Sequence, residues 1–458
     1  MKKIYSIGFK SNFISSFNSI NDIGLLFFQL GILLLASAPT ISIFLLIIAS
    51  IMGSLIRFDQ FFKDSFNWPF IFSSLFMVLN ALFLTINKEV IYSESGIYSK
   101  IAIFSQETSL LWIGLLNWIP FFWCFWSFQK YLSNNKLRIK CAKLFVFGTL
   151  PVLISGFFQY FLGIYGPFRF FNNLIVWYQR PLSEDNGVTG IFNNQNYAGA
   201  WLCILLPLCI GFLIKEKENK FIKLSIFSLF ISFVFMTILT TSRSAIFSAF
   251  ISIICLFKLK RIRWIVVLFI ITIFLIKLFP DLTNQIINLN NLLPGEINKM
   301  FSMNLSIDNF PRLEVWSKTI TFIKTNPFFG YGAGSFPLIY SISSGEYWGM
   351  QHTHNIILQI AFNFGIINSF LISITMLLLL IFSGKYFFFL GKDYDKNLKN
   401  KLNIIDKSWI FSYLIFFLIH MFDLTYFDGR ISILSWVLLS GMRSIIKEKN
   451  NQKLIINK

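Results

Sequence analysis

Phe328–Gly365 reads FFGYGAGSFPLIYSISSGEYWGMQHTHNIILQIAFNFG. It holds His352 and His354, two of the three histidines in 458 residues, and it marks the change from a long polar loop to a long apolar run. That run, near 355–382, carries no charged side chain. A bilayer core is crossed by about 20 apolar residues in a helix. The stretch therefore reads as a polar segment delivered to the mouth of a membrane span.

Working outward, further apolar runs lie near 24–38, 41–56, 68–86, 108–128, 144–164, 197–214, 224–240, 244–257, 264–279, 408–425 and 431–446. The chain is 55% hydrophobic and only 13% charged, against about 25% charged in an average soluble protein. A water-soluble fold could not bury so much apolar side chain; in lipid, helices with internally satisfied backbones need not. The expectation is an all-α polytopic membrane protein, a single integral membrane domain over 1–458. It has about 12 transmembrane helices, with a large, partly helical loop between spans 9 and 10. Ala38-Pro39-Thr40 makes the first two runs either a tight hairpin or one broken helix. Met1–Asp22 has no apolar core ending in small residues, so no cleavable signal is expected, and the run from Gly24 reads as an uncleaved anchor.

Orientation follows from basic residues in alternate loops. The loops 1–23, 57–67, 129–143, 215–223, 258–263, 383–407 and 443–458 hold most of the 40 lysines and arginines. The alternate set, 87–107, 165–196, 241–243, 280–354 and 427–430, is poor in them. Both termini are expected in the cytoplasm. The net charge of +19 then marks an anionic inner leaflet rather than a nucleic-acid partner. The five cysteines lie in or beside apolar runs and form neither a disulfide framework nor a zinc pattern.

Two outer loops, 165–196 and 280–354, are long and rich in aromatics, which favours ordered, functional structure. Within the second, Pro311–Lys324 reads as a helix with Pro311 at its first position. Leu313, Trp316, Ile320 and Ile323 form its apolar face, on the membrane surface or on a small core of the loop. Charged and polar groups gather on this same side: Arg180, Asn193, Asn194 and Asn196, Arg243, Arg312, His354, and Asp423, Asp428 and Arg430 in MFDLTYFDGR.

Arg243, in TTSRSAIF, either snorkels to lipid phosphate or grips the phosphate of a specific lipid-linked substrate with its guanidinium fork. Arg312 is either a solvated helix residue or a second cation, which a pyrophosphate would need. In QHTHN, His352 and His354 supply two metal ligands where a site needs three or four, and His420 lies in another span, so no metal is expected. A capping role is open. So is acid–base work, because an imidazole can accept a proton at neutral pH. Gly330–Gly334 lacks the spacing of a nucleotide loop and reads as a tight turn before the histidines. The NNQN tetrad, Asn193–Asn196, is either a helix cap or a set of amides for sugar hydroxyls.

TGIFNNQNYAGAWLCILLP, TTSRSAIFSAF, PRLEVWSKTITFIKTNPFFGYGAGSF and HTHNIILQIAFNFGIIN occur in this order. Together they resemble the O-antigen ligase and polymerase superfamily, over roughly 185–440. The resemblance implies a cofactor-free, metal-independent glycosyltransferase of the bacterial inner membrane with a periplasmic active site. It would move a glycan from undecaprenyl pyrophosphate to an acceptor hydroxyl, most simply on lipid A core. By motif, Arg243 and Arg312 would bind the pyrophosphate and His354 would be the base. Arg180, Asn193, Asn196, His352 and Asn355 would line the substrate. A polysaccharide polymerase, a protein O-oligosaccharyltransferase and a bicarbonate-related or other transporter share the scaffold. The gathering of polar residues at the outer face, rather than at mid-span, favours an enzyme.

Overall fold

The computed structural model describes residues 20–55, 60–94, 108–183, 186–216, 218–257, 311–344, 350–388 and 403–456. The expected span 264–279 and the loop segment 280–310 lie outside the described residues. Those described are helical, apart from one small hairpin of strands.

The chain opens with α1 (Ile20–Leu34) and α2 (Pro39–Leu55). Pro39 starts α2, and Ser42 Oγ donates to the Gly31 carbonyl at 2.7 Å. The first two runs thus form an antiparallel hairpin. α3 (Trp68–Glu94) follows. The run 108–128 is broken into α4 (Thr108–Leu115) and α5 (Ile119–Ser127), with Pro120 in the first turn of α5. α6 (Asn135–Gly148) and α7 (Leu150–Leu162) meet at Thr149, just before Pro151. The first long loop holds a two-stranded antiparallel hairpin, β1 (Phe168–Phe170) with β2 (Ile175–Trp177), within a fold whose described residues are otherwise all-α, as expected. Then come α8 (Gln195–Lys215), α9 (Lys220–Leu239), α10 (Arg243–Leu256), α11 (Pro311–Thr325), α12 (Phe336–Ser344), α13 (Ile356–Phe388), α14 (Ile404–Ile419) and α15 (Gly429–Ile456).

Seven helical segments are long and apolar enough to cross a membrane, and α1, α2 and α10 are shorter apolar helices. Twelve spans are therefore not found among the described residues. Four of the expected spans, α1, α2, α10 and α14, are helices of only 15, 17, 14 and 16 residues, and the run 264–279 lies outside the described residues.

α8 and α15 are the most enclosed spans. Close approach is made by small residues. A Cβ on Gly211 would meet Ser408 Oγ at 2.3 Å, and one on Gly441 would meet the Trp409 indole at 2.4 Å. The Trp409 Nε1–H donates to the Leu438 carbonyl at 2.8 Å, which locks α14 to α15.

Described residues from four of the basic loops are joined by ion pairs. Arg138 pairs with Asp406 at 2.7 Å and with Glu448 at 2.6 Å, while Asp64 receives Arg443 at 2.8 Å and Lys447 at 2.7 Å.

Candidate active site

α13 is the element that carries the histidines, and it is discontinuous. Gly365 has φ 86°, and the helix breaks there. A break leaves backbone groups without helical partners, and in an apolar setting each must be satisfied. The loop Pro327–Gly332 does this. Tyr331 N–H donates to the Phe362 carbonyl at 2.8 Å, Gly332 N–H to the Asn363 carbonyl at 2.9 Å, and Ile366 N–H to the Pro327 carbonyl at 2.8 Å. Gly330, with φ 62°, lets this backbone approach, since a Cβ there would lie 2.4 Å from the Phe362 carbonyl. The glycine-rich motif is therefore a plug for the α13 break, more than a turn leading into the histidines.

α11 is held beside it by a small apolar cluster separate from the main core: Val315, Ile323, Tyr331, Phe336, Ile339, Tyr340, Ala361 and Phe362. The expected face of α11 divides. Ile323 is buried and Trp316 half-buried, whereas Leu313 and Ile320 are exposed and Val315 and Thr319 point inward instead. Trp316 Nε1–H donates to the Thr353 carbonyl at 2.9 Å. This bond ties the helix that bears Arg312 to the HTH segment.

The HTH segment is pinned from below. Asn355 caps α13: its Oδ1 accepts from Ile357 N–H at 2.9 Å and Leu358 N–H at 3.1 Å, and its Nδ2 donates to the Met421 carbonyl at 3.2 Å. Ile356 N–H donates to the His420 carbonyl at 2.8 Å. Thr353 is buried, and its N–H donates to Gln359 Oε1 at 2.9 Å. His354 adopts φ 55°, an unusual conformation for a side-chain-bearing residue. The two imidazoles meet edge to face with centroids 4.3 Å apart.

Across from them lies Asp423, buried and 3.4 Å from His354 Nδ1. Its Oδ1 also accepts from Leu424 N–H at 2.9 Å. Burial alone would raise the Asp423 pKa. The His354 hydrogen bond and charge, with the Arg312 and His352 charges, overcome it and hold the carboxyl below its ordinary value. Burial, followed by the His354 and Arg312 charges, pushes His352 down to about 4. Arg312 thus acts electrostatically on both His352 and Asp423.

The turn bearing Asp423 is held by ring stacking, hydrogen bonds and an ion pair. Tyr426 stacks on Trp118 at 4.6 Å and donates its hydroxyl hydrogen to the Asn117 carbonyl at 2.8 Å. Arg430 chelates Asp428 and lies 3.8 Å above the Phe192 ring. That contact brings in the first long loop. Asn194 is the N-cap of α8, its Oδ1 accepting from Asn196 N–H at 2.7 Å. Asn193 keeps a buried Oδ1 without a hydrogen-bond partner, and Asn196 is half-buried. Arg180 has an exposed side chain, while its backbone is held by Gln159 and Thr189.

The turn that bears Arg243 packs on α8. A Cβ on Gly199 would meet Ala245 at 2.8 Å and Ser242 at 3.0 Å, so the first turns of α8 and α10 are in direct contact. Arg243 is exposed at the first position of α10. Two residues before it, Thr241 has φ 54° and a buried hydroxyl without a partner. A β-branched residue in that region is strained, and the strain sets the turn that presents Arg243.

The structure therefore groups His352, His354 and Arg312, and adds Asp423, which the sequence marked only as one of several outer charges. His354 and Asp423 are 69 positions apart, and only packing of the α14–α15 turn on the start of α13 joins them. The Nδ1/Nε2 and carboxylate oxygen atoms of His352, His354 and Asp423 lie within 4.8 Å of one another, a donor set able to hold a cation.

Residues 226–373, which run from α9 through the HTH segment and the α13 break, match the O-antigen ligase family model (Wzy_C). This segment is an O-antigen ligase family domain. Transfer of lipid-linked glycans, of the ligase or polymerase type, is the activity the domain implies. Arg243, Arg312, His352 and His354 all fall inside the O-antigen ligase domain, whereas Asp423 comes from beyond it. No curated protein matches the chain.

Proposed function

We propose that the protein is a metal-independent glycosyltransferase that moves a glycan from undecaprenyl pyrophosphate to an acceptor hydroxyl at the periplasmic face of the bacterial inner membrane, and that lipid A core is the acceptor. The observation that carries this reading is the His354–Asp423 pair beside Arg312. Asp423 accepting from Nδ1–H favours the tautomer that leaves His354 Nε2 free to take a proton. The 3.4 Å separation is long for a hydrogen bond, as is common before substrate binds.

In the proposed reaction His354 removes the proton of the acceptor hydroxyl as its oxygen attacks the anomeric carbon of the donor glycan. The bond from that carbon to the phosphate oxygen breaks, and undecaprenyl pyrophosphate leaves with the electron pair. Asp423 stabilises the imidazolium, as a buried carboxylate does in other base–carboxylate pairs. Arg312 and Arg243 neutralise charge developing on the pyrophosphate. In this reading Asn193, Asn196 and Arg180 meet sugar hydroxyls, while His352 and Asn355 orient the base. The excess of lysine and arginine in one loop set supports cytoplasmic termini and a periplasmic site.

A transporter is the other reading with an observation behind it, because a discontinuous helix is a common device of transporters. Here the freed groups of α13 are capped by Tyr331, Gly332 and Pro327, which leaves no open backbone cluster for a transported solute and favours the enzyme.

Reconstitution with undecaprenyl-pyrophosphate glycan tests the proposal, with lipid A core and repeat-unit glycan offered separately as acceptors. Transfer to lipid A core is expected. Transfer only to repeat units would make the protein a polymerase, and failure with every glycan would overturn the enzyme reading. Arg243→Ala, Arg312→Ala and His354→Ala are each expected to abolish transfer while the protein still inserts.

A further inference from the structure

We propose that His352, His354 and Asp423 constitute a binding site for a zinc-class divalent cation, and that an ion seated there silences the enzyme by engaging His354. The site goes beyond the transfer reaction; its silencing effect rests on the base assignment above. HxH alone supplied two donors. The turn after α14 brings the third, and the three donor atoms fall within 4.8 Å of one another. Ligand atoms around tetrahedral zinc stand roughly 3.3 Å apart, given metal–ligand bonds of about 2.0–2.2 Å. Small side-chain rotations therefore close the shell.

The chemistry of the donor set selects the ion. Two imidazoles and one carboxylate suit zinc and its transition-metal neighbours, whereas magnesium and calcium prefer all-oxygen shells. Asp423 is held in place by Leu424 N–H, and the HTH backbone by Thr353, Asn355 and Trp316. Such outer bonds are what orient metal ligands. The His354 side chain keeps 20% of its surface exposed, which gives an ion a path in and leaves a further coordination position open.

One charge opposes the ion. Arg312 lies within electrostatic reach of both His352 and Asp423. The site is therefore weaker than a structural zinc centre, and occupancy follows metal supply rather than being permanent. Removing Arg312 should tighten it.

The test uses the full-length, detergent-solubilised protein stripped with chelator and titrated with zinc chloride by calorimetry. One ion per chain is expected, with no matching heat from magnesium chloride. His352→Ala and Asp423→Asn should each weaken binding by at least the ~10–100-fold that loss of an outer-shell partner costs. Arg312→Gln should tighten it several-fold. Cobalt added to unaltered protein should give the visible bands of a low-symmetry nitrogen–oxygen site, a readout that depends on no variant folding. Absence of one-site binding, equal affinity for magnesium, or unchanged affinity in both ligand variants overturns the site and leaves the base assignment untouched. Zinc that binds one per chain while transfer runs at full rate overturns the silencing and the base assignment with it.

Discussion

Replacing Gly365 by alanine strikes the joint between fold and site. A Cβ at this position would lie 1.9 Å from the Phe328 carbonyl oxygen and 2.5 Å from its carbon. Both atoms belong to backbone, so the clash cannot be relieved by a side-chain rotation. The native backbone, φ 86° and ψ 166°, lies in a region open essentially to glycine and adds about 1–3 kcal/mol for a residue with a Cβ. To make room, the Pro327–Gly332 plug must retreat, which puts its three hydrogen bonds to α13 at risk. At roughly 0.5–1.5 kcal/mol each, the total cost comes to about 2.5–7.5 kcal/mol. Gly384 is the internal control: it lies in the same helix, and nothing stands within 4 Å of a Cβ there. Alanine at Gly384 should be neutral or stabilising by about 0.5–1 kcal/mol. Thermal unfolding in detergent, with limited proteolysis of the 326–335 loop, separates the two. Gly365→Ala should unfold at a clearly lower temperature and be cut in the loop. If both alanine variants match the parent protein, the plugged break is not what supports the HTH segment.

Asp423→Asn keeps the volume of the side chain but removes its charge, and transfer should fall by the ~10²–10⁴-fold that a base contributes; a rate within twofold of the parent would remove Asp423 from the mechanism. His352 gives a pH dependence. Its pKa is depressed in the fold from 6.5 to about 4 by burial and neighbouring cations. The unfolded chain therefore binds the proton first as pH falls. Stability present above 6.5 should drain away between 6.5 and about 4, by on the order of 3 kcal/mol. Unfolding temperatures measured across that window should fall less steeply in His352→Gln, and equal slopes would refute the burial of this imidazole. Among the basic loops, Arg138→Ala strands the buried Asp406 carboxylate. It should cost about 3–5 kcal/mol in thermal stability, with Arg138→Met/Asp406→Leu recovering most of it.

The membrane class and the helix Pro311–Lys324 were legible because they rest on local pattern. Hydropathy marks runs, and Pro311 marks a start. The breaks were harder. In 355–382 Gly365 sits inside a run with no charged residue, and only the loop that fills the gap makes a break tolerable in a bilayer. On α11 Leu313 and Ile320 satisfy the helical period yet are exposed, while burial falls on Val315 and Thr319, which that period does not mark. The β1–β2 hairpin is only three residues per strand, too short for a periodic signal. At the site, rarity exposed the histidines and position exposed the arginines. Asp423 stood in plain view among outer charges, yet its role depends on two turns meeting across 69 positions, which no local pattern encodes.

The most direct measurement is single-turnover transfer from undecaprenyl-pyrophosphate glycan to lipid A core, run in excess chelator with the parent protein and with His354→Ala in matched vesicles. The parent should transfer at full rate without added metal, and His354→Ala should bind donor yet fail to transfer. Full transfer by His354→Ala, or a parent rate restored only by added metal, would contradict the assignment of His354 as the base of a metal-independent reaction.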